Sequence, residues 1–362
     1  MGINGRSTVK KTPLSKPVVV YGICGEGLGH ATRASALIER LERDAVVHIL
    51  TSGDAFDFFT DLGHPHLHKV GGMRFVKTGS SIHWPASVTE CFNFIAGGKR
   101  HLAQATSIWD SLRPDMAVTD FEPLIPRIAL RKKVPVLAID NQSKISHCHL
   151  KDLPVALRIY QTIVSPLMDQ MVPRSVPRVV SCFHPEFCHP RKPLLAVSGP
   201  LIRGSITRLR PTDGGFTLVY YKEVVGQPLL LAAKALGLRT VVFGGMEHAQ
   251  NWPGFEFRPH GSGFAEALAA CSILVCPAGN QLLGEARFFG KKTLCIPQKR
   301  QFEQAINAFY MEKIGLGMVI NDLSLLENLT GKIRDAPAPA PNPLNEVERV
   351  AQMILGLSGV KP

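Results

Sequence analysis

The stretch ILVCPAGNQLLGEARFFGKKTLCIP, residues 273–297, decides the class of fold. Ile273–Cys276 and Thr293–Ile296 are short apolar runs without polar alternation, as expected of strands buried on both faces. Between them, Asn280–Phe289 has the length of a helix, and Gly290 follows at the position where glycine commonly ends one. A buried strand, a helix and a second buried strand in succession predict a parallel sheet covered by helices.

The same alternation extends on both sides of this stretch. Further apolar runs of strand length are Val18–Ile23, Val46–Leu50, Met116–Thr119, Val134–Ile139, Phe216–Tyr220 and Thr240–Phe243. A chain of 362 residues is too long for one compact domain and suits two domains of roughly 150 to 200 residues each. We therefore predict an α/β protein in which two Rossmann-like, doubly wound domains face each other across a cleft.

Turn formers and prolines mark the predicted domain boundaries. Glycine and proline cluster between the two halves, and Ala and Pro alternate near the end of the chain, where they form a stiff spacer before a last helix. The predicted segments are a first domain at 17–198, a linker or hinge at 199–215, a second domain at 216–335, a spacer at 336–343 and a C-terminal helix at 344–358.

Charge and composition limit the class of partner. The formal net charge of +12 favours nucleic acid, an anionic membrane or a phosphorylated small molecule. The basic residues are scattered and are not interleaved with aromatic residues, which argues against nucleic acid and leaves peripheral contact with an anionic membrane open. The polar start, Met1–Pro17, has no apolar segment behind it, and no apolar run reaches the roughly 18 to 20 residues that cross a bilayer. We predict a cytoplasmic protein, or one held on the inner face of the membrane.

The eight cysteines show no disulfide framework, and several lie in apolar strands, so we expect reduced thiols. Cys182, His184, Cys188 and His189 could be read as metal ligands. Their spacing matches no common zinc pattern, and the neighbouring prolines indicate a loop. We expect an ordinary surface loop there, and no metal site.

A glycine-rich loop, Gly25-Glu26-Gly27-Leu28-Gly29-His30, joins the first strand to the first helix. Glycine lets a ligand approach backbone N–H groups at a helix N-terminus. A dinucleotide fingerprint would need G-x-G-x-x-G and an acidic residue after the second strand, where this chain has Thr51 and Ser52. A P-loop would need Gly-Lys-Ser/Thr, which is absent. A tight strand–helix turn without a ligand stays open, beside the acceptor-loop role that a family resemblance implies.

Two motifs resemble a known group of enzymes. The loop Gly25–Arg33 resembles the G-x-G-x-G-H loop of family 28-like glycosyltransferases, relatives of the murein-pathway N-acetylglucosaminyltransferase. Residues 276–317 are similar to the donor-binding region of the same superfamily, with a glycine turn, a Glu-Ala pair, a strand ending in Pro, and then Glu-Gln and Asn-Ala. The motifs at 120–123 and 140–142 also occur in a poorly characterised prokaryotic subgroup of that superfamily.

The resemblance implies the GT-B fold and a transferase activity. It implies transfer of a hexosyl or N-acetylhexosaminyl group from a nucleotide-diphosphate sugar, expected to be a UDP-sugar, to an acceptor that is a glycan, a lipid-linked molecule or a small molecule. It also implies inversion and independence from metal, with no cofactor because the nucleotide sugar is a substrate. A nucleotide-sugar 2-epimerase of the same fold and a non-catalytic sugar-nucleotide-binding protein are the alternatives.

The resemblance also assigns the donor site. Ala278, Gly279 and Asn280 would place backbone N–H groups against the diphosphate at a helix N-terminus. Glu285 would accept the ribose hydroxyls, unless it is a surface residue that caps its own helix. Glu303 and Gln304 would bind the hydroxyls of the transferred sugar, and Asn307 would join them or buttress the loop. The base would rest near Phe257–Pro259, and the candidates for a charge on the diphosphate are Arg203 and Lys222.

The catalytic candidates lie in the first half. His30 suits a general base by its chemistry and by its place at the end of the loop. Asp120 closes a strand and would orient His30 or act as the base itself, with Glu122 and Glu26 as alternates. A structural Asp120 that caps the next helix is also compatible with the sequence. Gly25, Gly27, Gly29 and Glu122 form the predicted acceptor and cleft loop.

Overall fold

The structure is a computed structural model that describes residues 16–72, 76–78, 81–82, 86–87, 89–90, 93–94, 97–191, 195–222 and 225–357. The polar start of the chain before residue 16 lies outside these residues, and so does Cys91.

The first half folds around a seven-stranded sheet in which every strand pair is parallel. Its strands are, in spatial order, Leu195–Ser198, Arg178–Ser181, Val136–Asp140, Met116–Asp120, Val18–Ile23, Val46–Thr51 and Leu67–Lys69. The helices of this half are Leu28–Leu41, Gly53–Asp61, Gly98–Leu112, Leu124–Lys132, Ser143–His147 and Val155–Met171.

The second half folds around a six-stranded parallel sheet. Its strands are, in spatial order, Phe255–Arg258, Arg239–Phe243, Phe216–Tyr220, Ile273–Cys276, Lys292–Cys295 and Gly317–Val319. The helices are Gly226–Leu236, Phe264–Ala270, Asn280–Phe289, Phe302–Lys313 and Leu326–Asp335. Two doubly wound parallel sheets with helices between their strands confirm the predicted fold class.

Smaller elements connect these layers. Single 3₁₀ turns lie at Pro185–Phe187, Met246–Asn251 and Leu323–Leu325, and a short helix, Gly204–Thr207, lies in the linker. Two short antiparallel pairs join Cys148–Leu150 with Cys188–Pro190 and Lys77–Thr78 with Ser81–Ile82.

The last helix, Val347–Leu357, returns to the first domain. Val350, Ala351 and Ile354 are fully buried in the apolar core that also holds the first helix. The proline-rich spacer packs on Gly290, whose φ of 67° ends the helix Asn280–Phe289 in the left-handed region.

One apolar core spans both halves. It joins Cys148, Phe183 and Cys188 of the first half to Leu283 and Tyr310 of the second. The two domains are therefore packed against each other through buried side chains.

The segment around His184 corrects one prediction. We expected a surface loop, but Cys182 and His184 have no exposed surface, and Cys188 is 2% exposed. The His184 ring stacks on Tyr310 of the second domain, with the ring centroids 4.1 Å apart. Domain packing buries this segment, and that packing involves residues too distant in sequence to be visible in the local pattern.

In the described residues, no helix combines the length and the apolar character required to cross a lipid bilayer.

Candidate functional site

His30 and Asp120 meet at the carboxyl edge of the first sheet. Asp120 ends the strand Met116–Asp120, which pairs with the first strand so that Ile23 lies opposite Asp120. His30 is in the first turn of the helix that follows the glycine loop. Its Nδ1 lies 2.7 Å from Oδ1 of Asp120, whose side chain is fully buried. When Nδ1 carries the proton and donates it to Asp120, Nε2 is left with a free lone pair.

Arg33 is the third member of this cluster, and it is not among the site residues predicted from the sequence. Its Nε donates to Oδ2 of Asp120 at 2.9 Å, and its Nη2 donates to Oδ1 at 2.5 Å. The side chain is almost fully buried, one turn after His30 on the same helix. A basic residue three positions after His30 was the available signal, because residues at this spacing share a helix face.

The charges of the cluster favour an ionised Asp120. Burial raises the pKa of Asp120, but the charge of Arg33 and the contact with His30 outweigh it, and the pKa lies below its ordinary value. Burial by itself lowers the pKa of Arg33, but the charge of Asp120 outweighs burial, and the pKa of Arg33 lies above its ordinary value. A lowered pKa favours the ionised form of Asp120 and makes it a weaker base, which suits an orienting group better than a general base.

Glu122 corrects another prediction, because it does not line the cleft. Its two carboxylate oxygens accept hydrogen bonds from the backbone N–H groups of Leu124 and Ile125, at 2.9 and 2.8 Å. The helix Leu124–Lys132 begins after Pro123, which has no side-chain acceptor, and Glu122 therefore satisfies its free N–H groups. Burial raises the pKa of Glu122 to about 7, although these hydrogen bonds oppose the shift. The helix cap is Glu122, and Asp120 has no such role.

The glycine loop is held against the start of the helix Gly53–Asp61. The carbonyl of Gly25 accepts from Asp54 N at 2.9 Å, and the N–H of Gly27 donates to Asp54 Oδ2 at 2.9 Å. A Cβ on Gly25 would lie 2.4 Å from the carbonyl oxygen of Ser52, and Gly27 has a φ of 77°. Gly25 and Gly27 are therefore required by the turn itself, while a Cβ on Gly29 would meet no atom within 4 Å.

Glu303 links the two domains next to His30. Its Oε1 accepts from Nδ2 of Asn141 at 2.5 Å, and its Oε2 accepts from Nε2 of Gln142 at 3.1 Å. Nε2 of Gln142 also lies 3.3 Å from Nε2 of His30. A continuous row of side chains therefore crosses the cleft from Asp120 through His30 and Gln142 to Glu303.

Two amide oxygens in this row have no partner among the described residues: Oδ1 of Asn141 and Oε1 of Gln142, both buried. A buried acceptor without a hydrogen bond costs about 1 to 3 kcal/mol, and a ligand with hydroxyl groups would satisfy both oxygens.

Asn307 supports the glycine turn of the second domain. Its Nδ2 donates to the carbonyl of Ala278 at 2.9 Å, and its Oδ1 accepts from Nζ of Lys144 at 2.5 Å. Lys144 belongs to the first domain and is fully buried; burial lowers its pKa, while the charge of Glu303 opposes that shift. Asn307 therefore buttresses the turn, and with Lys144 it forms a second polar contact between the domains.

Two predicted donor residues are used within the fold. The side chain of Asn280 bridges Ser181 O and Phe183 N of the first domain, both at 3.3 Å. Oε1 of Gln304 accepts from the N–H of Gln298 at 2.8 Å and so shapes the loop before its helix. For Gln304, the sequence motif alone did not distinguish this role from contact with a sugar. The prediction for Asn280 concerns its backbone N–H and stays a prediction.

Glu285 is 2% exposed and pairs with Arg203 through two hydrogen bonds, each 3.0 Å long. Gln281 adds a third contact at 3.3 Å. Glu285 is therefore not a surface residue that caps its own helix. Arg203, which we considered for the diphosphate, comes from the linker and rests on this carboxylate.

The remaining edge of the second sheet carries aromatic and glycine residues. The predicted base segment, Phe257–Pro259, covers the end of the edge strand, Phe255–Arg258. Gly244, with a φ of 94°, lies so close to His260 that a Cβ would sit 2.3 Å from its Nε2. Tyr220 lies beside His260, with ring centroids 5.0 Å apart. Within the described part of the chain, no three His, Cys, Asp or Glu side chains are grouped closely enough to hold a metal ion.

Comparison with known proteins identifies the family. Residues 18–332 match Glycosyl transferase family 1. An uncharacterized glycosyltransferase of Methanosarcina acetivorans is 24% identical, over 95% of this chain and 96% of its own length. Among solved structures, LpCGTa in complex with UDP superposes with a TM-score of 0.65 at 15% identity, covering 96% of this chain and 100% of its own. MurG of Acinetobacter baumannii superposes with a TM-score of 0.55 at 15% identity, covering 94% and 99%.

These matches confirm the resemblance inferred from the two motifs, and they favour sugar transfer over epimerisation. The chain belongs to glycosyl transferase family 1 and is a glycosyltransferase with the GT-B fold.

Proposed function

We propose that this glycosyltransferase moves a hexosyl or N-acetylhexosaminyl group from a UDP-sugar to an acceptor hydroxyl, with inversion, with His30 as general base and without a metal. The observation that carries the proposal is the row from Asp120 to Glu303, in which His30 lies beside the Gln142 amide. The oxygens of this amide and of the Asn141 amide have no partner among the described residues.

In the proposed reaction, Nε2 of His30 removes the proton of the acceptor hydroxyl. The acceptor oxygen then bonds to the anomeric carbon of the sugar from the face opposite the diphosphate, and the bond from that carbon to the diphosphate oxygen breaks. Asp120 stabilises the resulting imidazolium through Nδ1, at 2.7 Å. UDP leaves with the electron pair of the broken bond, and the configuration of the anomeric carbon is inverted.

The second domain would hold the donor. The helix Asn280–Phe289 begins at the carboxyl edge of the sheet with free N–H groups and a positive dipole end, which favour a diphosphate without a metal. Glu285 would accept the ribose hydroxyls, and Arg203 would supply a positive charge beside them. The neighbour named for its complex with UDP supports this choice of nucleotide.

The transferred sugar would lie against the row formed by Glu303 and the amides of Asn141 and Gln142. Each amide oxygen can accept a hydrogen bond from a sugar or acceptor hydroxyl. Glu303 already accepts hydrogen bonds from both amides, so a sugar hydroxyl that donates to an amide oxygen would extend this row.

Calorimetric titration with a panel of nucleotide sugars and free nucleotides tests the proposal. We expect binding of UDP and of at least one UDP-sugar, slow release of UDP from that sugar, and an inverted anomeric configuration in the product by NMR. Gln142→Leu should retain UDP affinity and lose transfer, because it removes the amide without changing the second domain. The absence of nucleotide binding by the wild-type protein would contradict the donor site.

A matched pair of histidine variants tests the base, and chelation tests the role of metal. His149 is exposed, so His149→Ala should keep full activity while His30→Ala loses it. Activity should be unchanged in excess chelator; loss of activity that magnesium or manganese restores would contradict metal-independent transfer.

A further inference from the structure

The helix Val155–Met171 presents an apolar face to solvent. Val155, Ile159 and Ile163 are 70%, 57% and 68% exposed. They are four residues apart, so they form a line along one side of the helix, and Tyr160 widens this line. We call these four residues the apolar ridge.

The helix departs from the ordinary surface pattern, because large apolar side chains lie on its outer side as well as on its inner side. Its buried side includes Gln161, which is 4% exposed and donates to the carbonyl of Cys148 at 3.0 Å. Its outer side carries the apolar ridge, and Arg158 is the one charged residue between positions 155 and 168. A surface helix normally places polar residues toward water, and exposed large apolar side chains grouped together mark an interaction site.

The shape of the surface indicates the kind of partner. Eight residues separate Val155 from Ile163, so the ridge is about 12 Å long, and it lies on the convex outer side of a helix. A small apolar ligand needs a concave pocket that encloses it. A convex ridge of branched and aromatic side chains suits insertion between lipid head groups.

Positive charge surrounds the ridge. Lys151 and Arg158 flank its N-terminal end, and both are exposed. The acid beside them, Asp152, is paired with Lys313 at 3.0 Å. The hydrogen bond from Lys313 lowers the pKa of Asp152, and the charges of Lys151 and Arg158 add to that shift, so the cations outnumber the acid here.

A second pair of cations comes from the other domain. The rings of Tyr160 and Phe302 are in contact, with centroids 3.5 Å apart, and the exposed residues Lys299 and Arg300 lie just before Phe302 in the chain. Among the described residues, neither cation forms an ion pair. The apolar ridge and its rim of Lys151, Arg158, Lys299 and Arg300 combine the two features that bind a protein to an anionic membrane surface.

We propose that the apolar ridge and its basic rim dock the protein on an anionic lipid bilayer. The chain's net charge of +12 acts in the same direction. Phe302, which contacts the ridge, directly precedes Glu303, so docking brings the mouth of the cleft beside the lipid surface. This proposal depends on the exposed face alone and holds whichever sugar is transferred.

Flotation of the full chain with lipid vesicles tests the proposal. We expect binding to vesicles rich in phosphatidylglycerol, weak binding to vesicles of phosphatidylcholine alone, and loss of binding as salt is raised. Ile159→Ser/Ile163→Ser should lower the partition coefficient by about tenfold or more, because two apolar side chains no longer enter the interface. Lys299→Glu/Arg300→Glu should lower it on anionic vesicles only.

Matched control variants show whether vesicle binding depends on the apolar ridge and its rim or on any exposed apolar or basic side chain. Leu62 is 61% exposed on another helix end, so Leu62→Ser should bind as the wild type does. Lys234→Glu/Lys332→Glu changes two exposed charges of the second domain by the same amount and should have a smaller effect than Lys299→Glu/Arg300→Glu. Melting temperatures should match the wild type, since every substituted side chain is exposed.

Three outcomes would overturn the proposal: no binding of the wild type to anionic vesicles, equal binding by the ridge variant, or an equal loss in the control variants. Sedimentation tests whether the ridge instead contacts a second copy of the chain. A wild-type dimer that Ile159→Ser/Ile163→Ser converts to a monomer, without vesicle binding, would assign the ridge to a second copy of the chain.

Discussion

Asp120 contacts both His30 and Arg33. The two contacts lead to different predictions. With His30, it fixes the imidazole so that Nε2 faces the cleft. With Arg33, it forms a buried ion pair that neutralises its charge. The contact with His30 bears on the reaction, and the contact with Arg33 bears on stability. Substitution of His30 and substitution of Arg33 therefore test the two effects separately.

Substitution of His30 tests the reaction. His30→Ala should lower turnover by about 10² to 10⁴, because the acceptor loses its base, while the affinity for UDP stays nearly the same. Asp120→Asn should also lower turnover, and the double variant should be little worse than the worse single variant, since the two residues act together. Additive losses that follow the fall in melting temperature would contradict a joint catalytic role.

Substitution of Arg33 tests the ion pair. Arg33→Met should lower the free energy of unfolding by about 3 to 5 kcal/mol, because Asp120 stays buried without its bidentate partner. Arg33→Met/Asp120→Asn should lose clearly less than the sum of the single variants in urea unfolding. A double variant with the full summed loss would show that the pair contributes no coupling.

Glu285 is paired with Arg203, and substitutions of both residues lead to predictions for the affinity of UDP. Glu285→Ala should weaken UDP binding by about 1 to 3 kcal/mol in calorimetry, through loss of charged hydrogen bonds. Arg203→Ala frees the carboxylate and removes a cation, so it should weaken UDP, which carries the diphosphate, more than uridine. Equal affinity of Glu285→Ala and the wild type would remove Glu285 from the ribose site.

At the level of strands and helices, the sequence predicts most of the fold. Strands such as Ile273–Cys276 are local apolar runs, and a parallel sheet buried on both faces produces that pattern directly. Asp120 and His30 could be placed together from the sequence as well, because both follow strand ends and the carboxyl ends of parallel strands meet at one edge of the sheet. Three features could not be predicted, because each depends on which distant side chains meet: the contact of Arg33 with Asp120, the contact of Asn141 with Glu303 and the burial of His184.

A histidine cluster lies at one edge of the first sheet, on and beside the edge strand Leu67–Lys69 and its neighbour Val46–Thr51. His48 is on the strand Val46–Thr51, and its Nδ1 lies 3.2 Å from Nε2 of His68 on the next strand. The ring of His66 is 4.6 Å from that of His48, between centroids. Burial and the neighbouring histidines lower the pKa of His48 from 6.5 to about 4, and burial lowers that of His68.

These shifts predict a loss of stability in mild acid. The unfolded chain binds protons on His48 near its ordinary pKa, while the folded chain resists them, so the stabilisation is complete above about pH 6.5 and is lost as the pH falls toward 4. After allowance for solvent screening we expect His48 to contribute about 1 kcal/mol. Urea unfolding at pH 7 and pH 5 should show a smaller difference for His48→Gln than for the wild type. His149→Gln, at an exposed position, should leave the difference unchanged.

The whole molecule is held together by contacts that join distant parts of the chain. The apolar core around Phe183 and Leu283 spans both domains, and the polar contacts of Lys144 and Glu303 cross the same junction. The last helix lies on the first, although more than 300 residues separate Arg40 from Glu348 in the pair they form. The first domain is therefore completed only when the end of the chain returns to it.

Ile354 in this last helix tests that dependence. It is fully buried against the first domain, so Ile354→Ala should lower the free energy of unfolding by about 2 to 4 kcal/mol. Glu348 is half-exposed in its pair with Arg40, and Glu348→Ala should cost less than about 1 kcal/mol.

The same variant shows whether the two domains unfold together. Replacing Trp84 and Trp109 by Phe leaves Trp252, in the second domain, as the only indole. Because the shared core couples the domains, Ile354→Ala should shift the fluorescence transition of Trp252 together with the circular dichroism of the whole chain. If Trp252 keeps its midpoint while the circular dichroism splits into two transitions, the first domain unfolds alone, and the shared core does not couple the halves.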